Sequence, residues 1–138
     1  MDDKLKKLFA KTKAVVYKED FLVAELPSAK INYSFLHKVK PFAVVNEGNK
    51  FTIVAEARNW LYLKAMGAKI RKSYSLLLFG VELPFDITGY FAAVSEVLAE
   101  NKISILAFPS YTKDYVLVNS KDKRKAVSAL NKFINSCK

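Results

Sequence analysis

Cysteine is nearly absent. Cys137 stands alone beside the C-terminus. That excludes a structural disulfide framework and fits a reducing compartment, so a cytoplasmic location is expected. Histidine is as scarce: His37 has no cysteine or carboxylate near it in metal-ligand spacing, and neither a metal nor another cofactor is expected. There are only four glycines and four prolines, and no Pro/Gly/Ser-rich stretch marks a linker. No apolar run approaches the ~18–20 residues that cross a bilayer, so no membrane contact is expected. The first residues, MDDKLKKLFAKTK, are charged where a signal peptide carries its apolar region. Nucleophile-elbow, Walker A and G-x-G-x-x-G patterns are all missing, and with no catalytic constellation in view the chain reads as a non-enzyme.

What is present is core-forming material. The 138 residues are 51% hydrophobic and include ten Phe and seven Tyr, enough for one compact domain or two very small ones sharing a core. The formal charge is +10, with 23 basic against 13 acidic residues. Such a balance attracts nucleic acid, which makes a nucleic-acid-binding module the alternative reading. The lysines are scattered, however. The tight runs are Lys69–Arg71–Lys72 and Lys121–Lys123–Arg124–Lys125, and scattered Lys reads as solvated surface.

Along the chain, Leu5, Leu8 and Phe9 fall at helical spacing in Asp2–Lys13. Residues 14–26 read as a hairpin around Lys18–Glu19–Asp20, stopped by Pro27. Residues 31–37 fit a short helix or an irregular crossing. Phe42–Val45 and Phe51–Ala55 form a second hairpin through Gly48. Ala57–Met66 reads as a helix with Gly67 at its end, or as a loop along which Trp60, Tyr62 and Leu63 lie. Ser73–Glu82 is a strand, with Gly80 as a bulge, ended by Pro84. Asp86 or Thr88 can cap a helix over Gly89–Glu100, whose core stripe is Phe91, Val94, Val97 and Leu98. Ile103–Phe108 and Asp114–Val118 are strands joined by a polar turn. Ser120 caps a last helix with Ala126, Val127, Leu130, Phe133 and Ile134 inward.

The C-terminal half is therefore β-α-β-β-α, a ferredoxin-like unit short of its last strand. The expected class is α+β, with two interleaved ferredoxin-like subdomains, antiparallel sheets and helices on one face. The N-terminal hairpins are the expected donors of the missing strand. The expected organisation is an N-terminal helix over 1–13, then subdomains over 14–72 and 73–138. A homodimer is expected, with Leu76–Phe79 or Phe51–Ile53 as the exposed strand edge.

Four pieces resemble a known family: three motifs and, upstream of them, the order and spacing of the strand Phe51–Ala55, the Trp60 region and the strand Leu76–Glu82. Phe85-Asp86-Ile87-Thr88-Gly89 resembles the strand-to-helix turn of ACT domains. Leu98–Ile105 is similar to their L-A-x-x-x-I-S-I step, and Asp114–Val118 to their D-Y-x-L-V strand. Within that family the likeness is to small tandem-ACT proteins related to the CASTOR arginine sensors and to the ACT modules of aspartate kinases. The resemblance implies a regulatory module that binds a small molecule, an amino acid, at the first strand–helix turn near a subdomain or dimer interface. The residues themselves are compatible with such a site. Backbone N–H groups after Asp86, including those of Ile87 and Thr88, open a helix whose positive end suits a carboxylate. Gly89 admits close approach. Asp114 can accept from an ammonium or guanidinium. Ser110, Tyr111 and Thr112 offer hydroxyls, and Ile105 and Ala107 offer backbone groups if their strand lies at an edge. Each also has a plain structural role: capping for Asp86 and Thr88, helix packing for Gly89, the turn for Asp114. Three residues depart from the family pattern: Pro109, Lys113, which can pair with Asp114 or Asp86, and Tyr90, which can fill the pocket.

Overall fold

The computed structural model describes residues 1–138. In chain order the elements are α1 (Asp3–Lys11), β1 (Ala14–Pro27), α2 (Tyr33–Val39), β2 (Ala43–Asn46), β3 (Lys50–Glu56), α3 (Trp60–Ala65), β4 (Lys69–Phe79), α4 (Tyr90–Glu100), β5 (Ile105–Pro109), β6 (Asp114–Asn119) and α5 (Lys123–Ser136). They fall into two compact units: a terminal unit of Met1–Lys18 and Ser75–Lys138, and a middle unit of Glu19–Tyr74. The long strands β1 and β4 contribute to both.

In the middle unit, β1, α2, β2, β3, α3 and β4 follow one another, with the strands ordered β2-β3-β1-β4. That is a complete ferredoxin-like βαββαβ unit. β1 and β3 run antiparallel with Val23 opposite Val54, and β2 and β3 close a hairpin through Gly48 at φ +94°. Alternate residues Leu22, Ala24 and Leu26 of β1 join Ile53, Ala55, Phe35, Val39 and Leu63 in its core. That period-2 pattern is what a strand with one face on a helical layer requires.

In the terminal unit, β4, α4, β5, β6 and α5 follow in turn, and the strand order is β1-β4-β6-β5. The early residues of β1 therefore take the place of the missing fourth strand. The Gly80 amide donates to the Lys13 carbonyl at 2.8 Å where the two chain segments meet. The core gathers Leu77, Phe79, Val116 and Val118 from strands, Tyr90, Val94, Leu98, Ala126 and Leu130 from helices, and Leu5 and Phe9 from α1.

Several expectations are corrected. Residues 14–27 form one strand of 14 residues, with no hairpin. Lys18, Glu19 and Asp20 include no glycine to set a tight turn, and an extended charged stretch exposed to water needs none. The ambiguous crossing is a helix, α2, because Asn32 accepts from the Phe35 amide at 2.9 Å and caps it. Gly80 is not a bulge; it follows the end of β4, where a Cβ would meet the Lys13 carbonyl oxygen at 3.2 Å. The bulge-like residue is Ser73, at φ +69°. β4 gives Ile70 to the core of the middle unit and Leu77 and Phe79 to that of the terminal unit. β4 ends at Phe79, five positions before Pro84. β3 and β4 are interior in the strand order, so the edges are β2 and β5 and not the two segments expected. Asn119, accepting from the Lys121 amide, precedes α5 where Ser120 was expected to cap; Ser120 meets Ser75 at 3.1 Å.

Candidate functional site

Residues 80–89 leave β4 without regular structure and deliver the chain to α4. Two bonds shape this loop: the Ile87 amide donates to the Pro84 carbonyl at 3.1 Å, and the Leu83 amide donates to the Thr112 carbonyl at 2.8 Å. The second bond ties the loop to the β5–β6 turn. That turn holds itself closed. The Ser110 amide donates to the Lys113 carbonyl at 2.8 Å, the Lys113 amide to the Ser110 hydroxyl at 3.1 Å, and that hydroxyl to the Lys113 carbonyl at 3.2 Å. Pro109, which has no N–H to offer, sits at the last position of edge strand β5, opposite Asp114, where its missing donor is tolerated.

Loop and turn enclose a cleft of about 310 Å³. Of the residues expected at a site, Ile87, Gly89, Ser110, Tyr111, Thr112 and Asp114 line it, while Asp86, Thr88, Ile105 and Ala107 do not. Asp86 and Thr88 do not cap the helix either. The N-cap of α4 is Gly89, at φ +86° and ψ 0°, and no side chain caps the helix start. Glycine at this position supplies the left-handed conformation that a Cβ would strain. The first amides of α4 are thus left without a side-chain acceptor beside the cleft. Ser110 spends its hydroxyl on the turn. Ile105 and Ala107 lie on β5, which is an edge strand as the sequence reading required of it.

The electrostatics centre on Asp114. Its carboxyl is half-buried and makes no ion pair, and burial holds it above the usual carboxylate range. Lys113, expected to pair with Asp114 or Asp86, instead places its ammonium 3.4 Å from the Thr112 hydroxyl. Tyr90 packs into the core at the inner wall, with its phenol oxygen 2.8 Å from the Thr12 hydroxyl oxygen. Its phenol is pushed up to about 12, first by burial, against which the Thr12 bond works, and then by the Asp114 charge. At the mouth, Phe85 and Tyr111 are 77% and 79% exposed and meet edge to face at 4.8 Å. Phe85 and Phe91 line the cleft although neither is among the expected site residues; helical periodicity places Phe91 in the core, yet it is only half-buried. No group of three or more His, Cys, Asp or Glu is placed to hold a metal, and no helix is long and apolar enough to cross a membrane.

A segment of the chain that contains this whole cleft, residues 69–132, matches the sequence profile of the ACT domain family. No curated protein matches the chain by sequence. Among solved structures, a Vibrio cholerae protein of unknown function, described as a possible transport protein, gives a TM-score of 0.77 at 23% identity, over 96% of this chain and 97% of that one. An Agrobacterium tumefaciens protein gives 0.72 at 19% identity, over 88% and 87%. The ligand-free regulatory subunit of aspartate kinase from Thermus thermophilus gives 0.63 at 12% identity, over 86% and 95%. At such identities the likeness is one of fold, and it extends along most of this chain's length.

Proposed function

We propose that the chain is a non-catalytic regulatory module of the ACT type that binds an amino acid in the cleft of the terminal unit. The observation that carries this reading is a helix start with no side-chain cap facing, across one cleft, a half-buried carboxylate with no ion pair. The first is a site for a ligand carboxylate, since N-terminal amides and the helix dipole both favour negative charge. The second is a site for an ammonium or guanidinium, which would give the buried carboxylate the partner it lacks. A volume of about 310 Å³ lies at the lower end of the ~300–1,000 Å³ typical of small-molecule sites, as suits a ligand of amino-acid size. Phe85, Phe91 and Tyr111 offer apolar surface to its side chain.

In this reading the two units are a tandem pair of ACT-like subdomains, related to the aspartate-kinase and CASTOR-type modules. The protein works in the cytoplasm as a homodimer through the edges β2 and β5, and Val44 and Val45 stand exposed on β2. Ligand binding favours one arrangement of the module over another, as any differential affinity must. Isothermal calorimetry against each of the twenty amino acids tests the central claim. One of them should bind, and at 100 times its dissociation constant it should stabilise the fold by ~2.7 kcal/mol. If all twenty give neither heat nor a thermal shift at millimolar concentration, the reading fails.

A further inference from the structure

The inner wall of the cleft is shared with α1. This helix adds nothing to the strand order of the terminal unit, yet its buried side packs on the residues that begin α4. A Cβ on Gly89 would stand 3.6 Å from the Leu5 Cδ2 atom. The Phe9 and Tyr90 rings stack at 4.3 Å with 5° between their planes, and Phe133 meets Phe9 edge-on at 4.9 Å. Thr12, buried at the end of α1, joins Tyr90 through the 2.8 Å contact of their hydroxyls. The Thr12 hydroxyl also lies 2.8 Å from the Leu8 carbonyl, which can only accept. Thr12 therefore donates to Leu8, and Tyr90 donates to Thr12. Gly89 and Tyr90 are at the same time lining residues of the cleft. The outer side of α1 carries Lys4, Lys6, Lys7 and Lys11, all exposed and none in an ion pair.

We propose that α1 is the element through which occupancy of the cleft is transmitted, with Tyr90 as the joint between them. The proposal rests on the cleft being the ligand site. A ligand seated against Gly89 and Tyr90 fixes the surface on which Leu5, Phe9 and Thr12 dock. It tightens α1, and by linkage a docked α1 strengthens binding by the same factor. Stacked rings and one directional hydrogen bond make the joint stiff, because a displaced Tyr90 leaves its buried hydroxyl without an acceptor.

Amide hydrogen exchange on the full chain tests this in two arms. Without ligand, Thr12→Val keeps the shape of the side chain and removes the acceptor. It should speed exchange at Lys6–Lys11 of α1 and at Ala93, the first hydrogen-bonded amide of α4, by about tenfold, while Ile53–Ala55 of β3 stay unchanged. Phe9→Ala should do the same more strongly, and if it fails to fold, Thr12→Val still decides. With ligand, the twenty amino acids, each at millimolar concentration, should slow exchange across α1 in the wild type by about fivefold or more, and this response should be lost in Thr12→Val. An Ala93 amide indifferent to Thr12→Val, or calorimetric binding that leaves α1 exchange as it was, overturns the coupling. If nothing binds, the binding reading fails by itself, and the first arm alone settles whether α1 and the cleft wall are joined.

Discussion

Each unit sends a strand into a helix, and the two begin that helix in different ways. In the middle unit the step is short: Pro27 closes β1, one tight turn follows over Ser28–Lys30, and the Asn32 side chain caps α2. In the terminal unit the chain wanders from 80 to 89, and α4 starts from a glycine with no side chain over its amides. The hollows beside the two steps differ in the same sense. In the middle unit the charged groups are spent on one another, with Lys50 and Lys69 reaching Glu25 at 3.3 and 4.0 Å. In the terminal unit Asp114 has no such partner. A helix start that caps itself, beside charges that pair among themselves, has little left for a ligand. The same fold with those groups left over is a candidate binding site.

The two units should differ most at their carboxylates. Asp114→Ala should weaken binding of a cationic amino acid by at least about tenfold, the worth of a hydrogen bond to a charged group. Glu25→Ala should leave the affinity unchanged. Calorimetry with the same ligand on both variants decides between the units, and equal losses would remove the distinction.

Next come the two helix starts. Gly89→Ala forces a Cβ into the left-handed region at φ +86°, which costs ~1–2 kcal/mol of stability in urea denaturation. The cost is conformational, because the nearest atom to that Cβ, Leu5 Cδ2, lies at an ordinary 3.6 Å. Asn32→Ala should cost ~1 kcal/mol through the lost cap. Asp86→Ala and Thr88→Ala should each stay within about 0.5 kcal/mol, since neither residue caps α4. A large loss at either would mean that α4 has a side-chain cap after all, and the difference between the units would shrink.

The parts of this architecture that follow local rules were legible in the sequence. The β2–β3 hairpin follows from Gly48 between two β-rich runs, and the end of α3 from Gly67 at φ +84°. The β4–α4–β5–β6–α5 order follows from alternation of hydrophobic period. What could not be read was non-local. A strand pairing on both sides has no turn, and Lys18-Glu19-Asp20 looks like a turn only when the neighbouring strands are out of sight. β4 serves two cores at once, and no short window contains both. For the site, six of ten expected residues reach the cleft because loop and turn are each short local motifs. Asp86 and Thr88 failed for a physical reason: capping needs the side chain one position before the helix, and Gly89 occupies it. Tyr90, bulky enough to suggest a blocked pocket, is drawn into the core by Phe9 and Thr12, partners far away in sequence.

The smallest effect concerns pH, and it tests whether Asp114 is held open for a cation. Burial raises its carboxyl above the ordinary value of 3.8. An acid whose folded-state pKa exceeds its unfolded one binds its proton more tightly in the fold. Its contribution is therefore favourable at low pH and declines as pH rises from about 3.8 through the folded pKa. This is opposite in sign to a carboxylate held by a salt bridge. Asp114→Asn removes the term, so the variant should gain stability relative to the wild type as pH rises from 3.5 to 7 and be slightly more stable than it at pH 7. The gain should be under ~1 kcal/mol, because the group is part-exposed and water screens it. Urea denaturation at pH 3.5 and 7 measures the difference. A variant less stable at pH 7 would show that the carboxylate already has a favourable partner inside the fold, and with it would go the case for a ligand ammonium at that position.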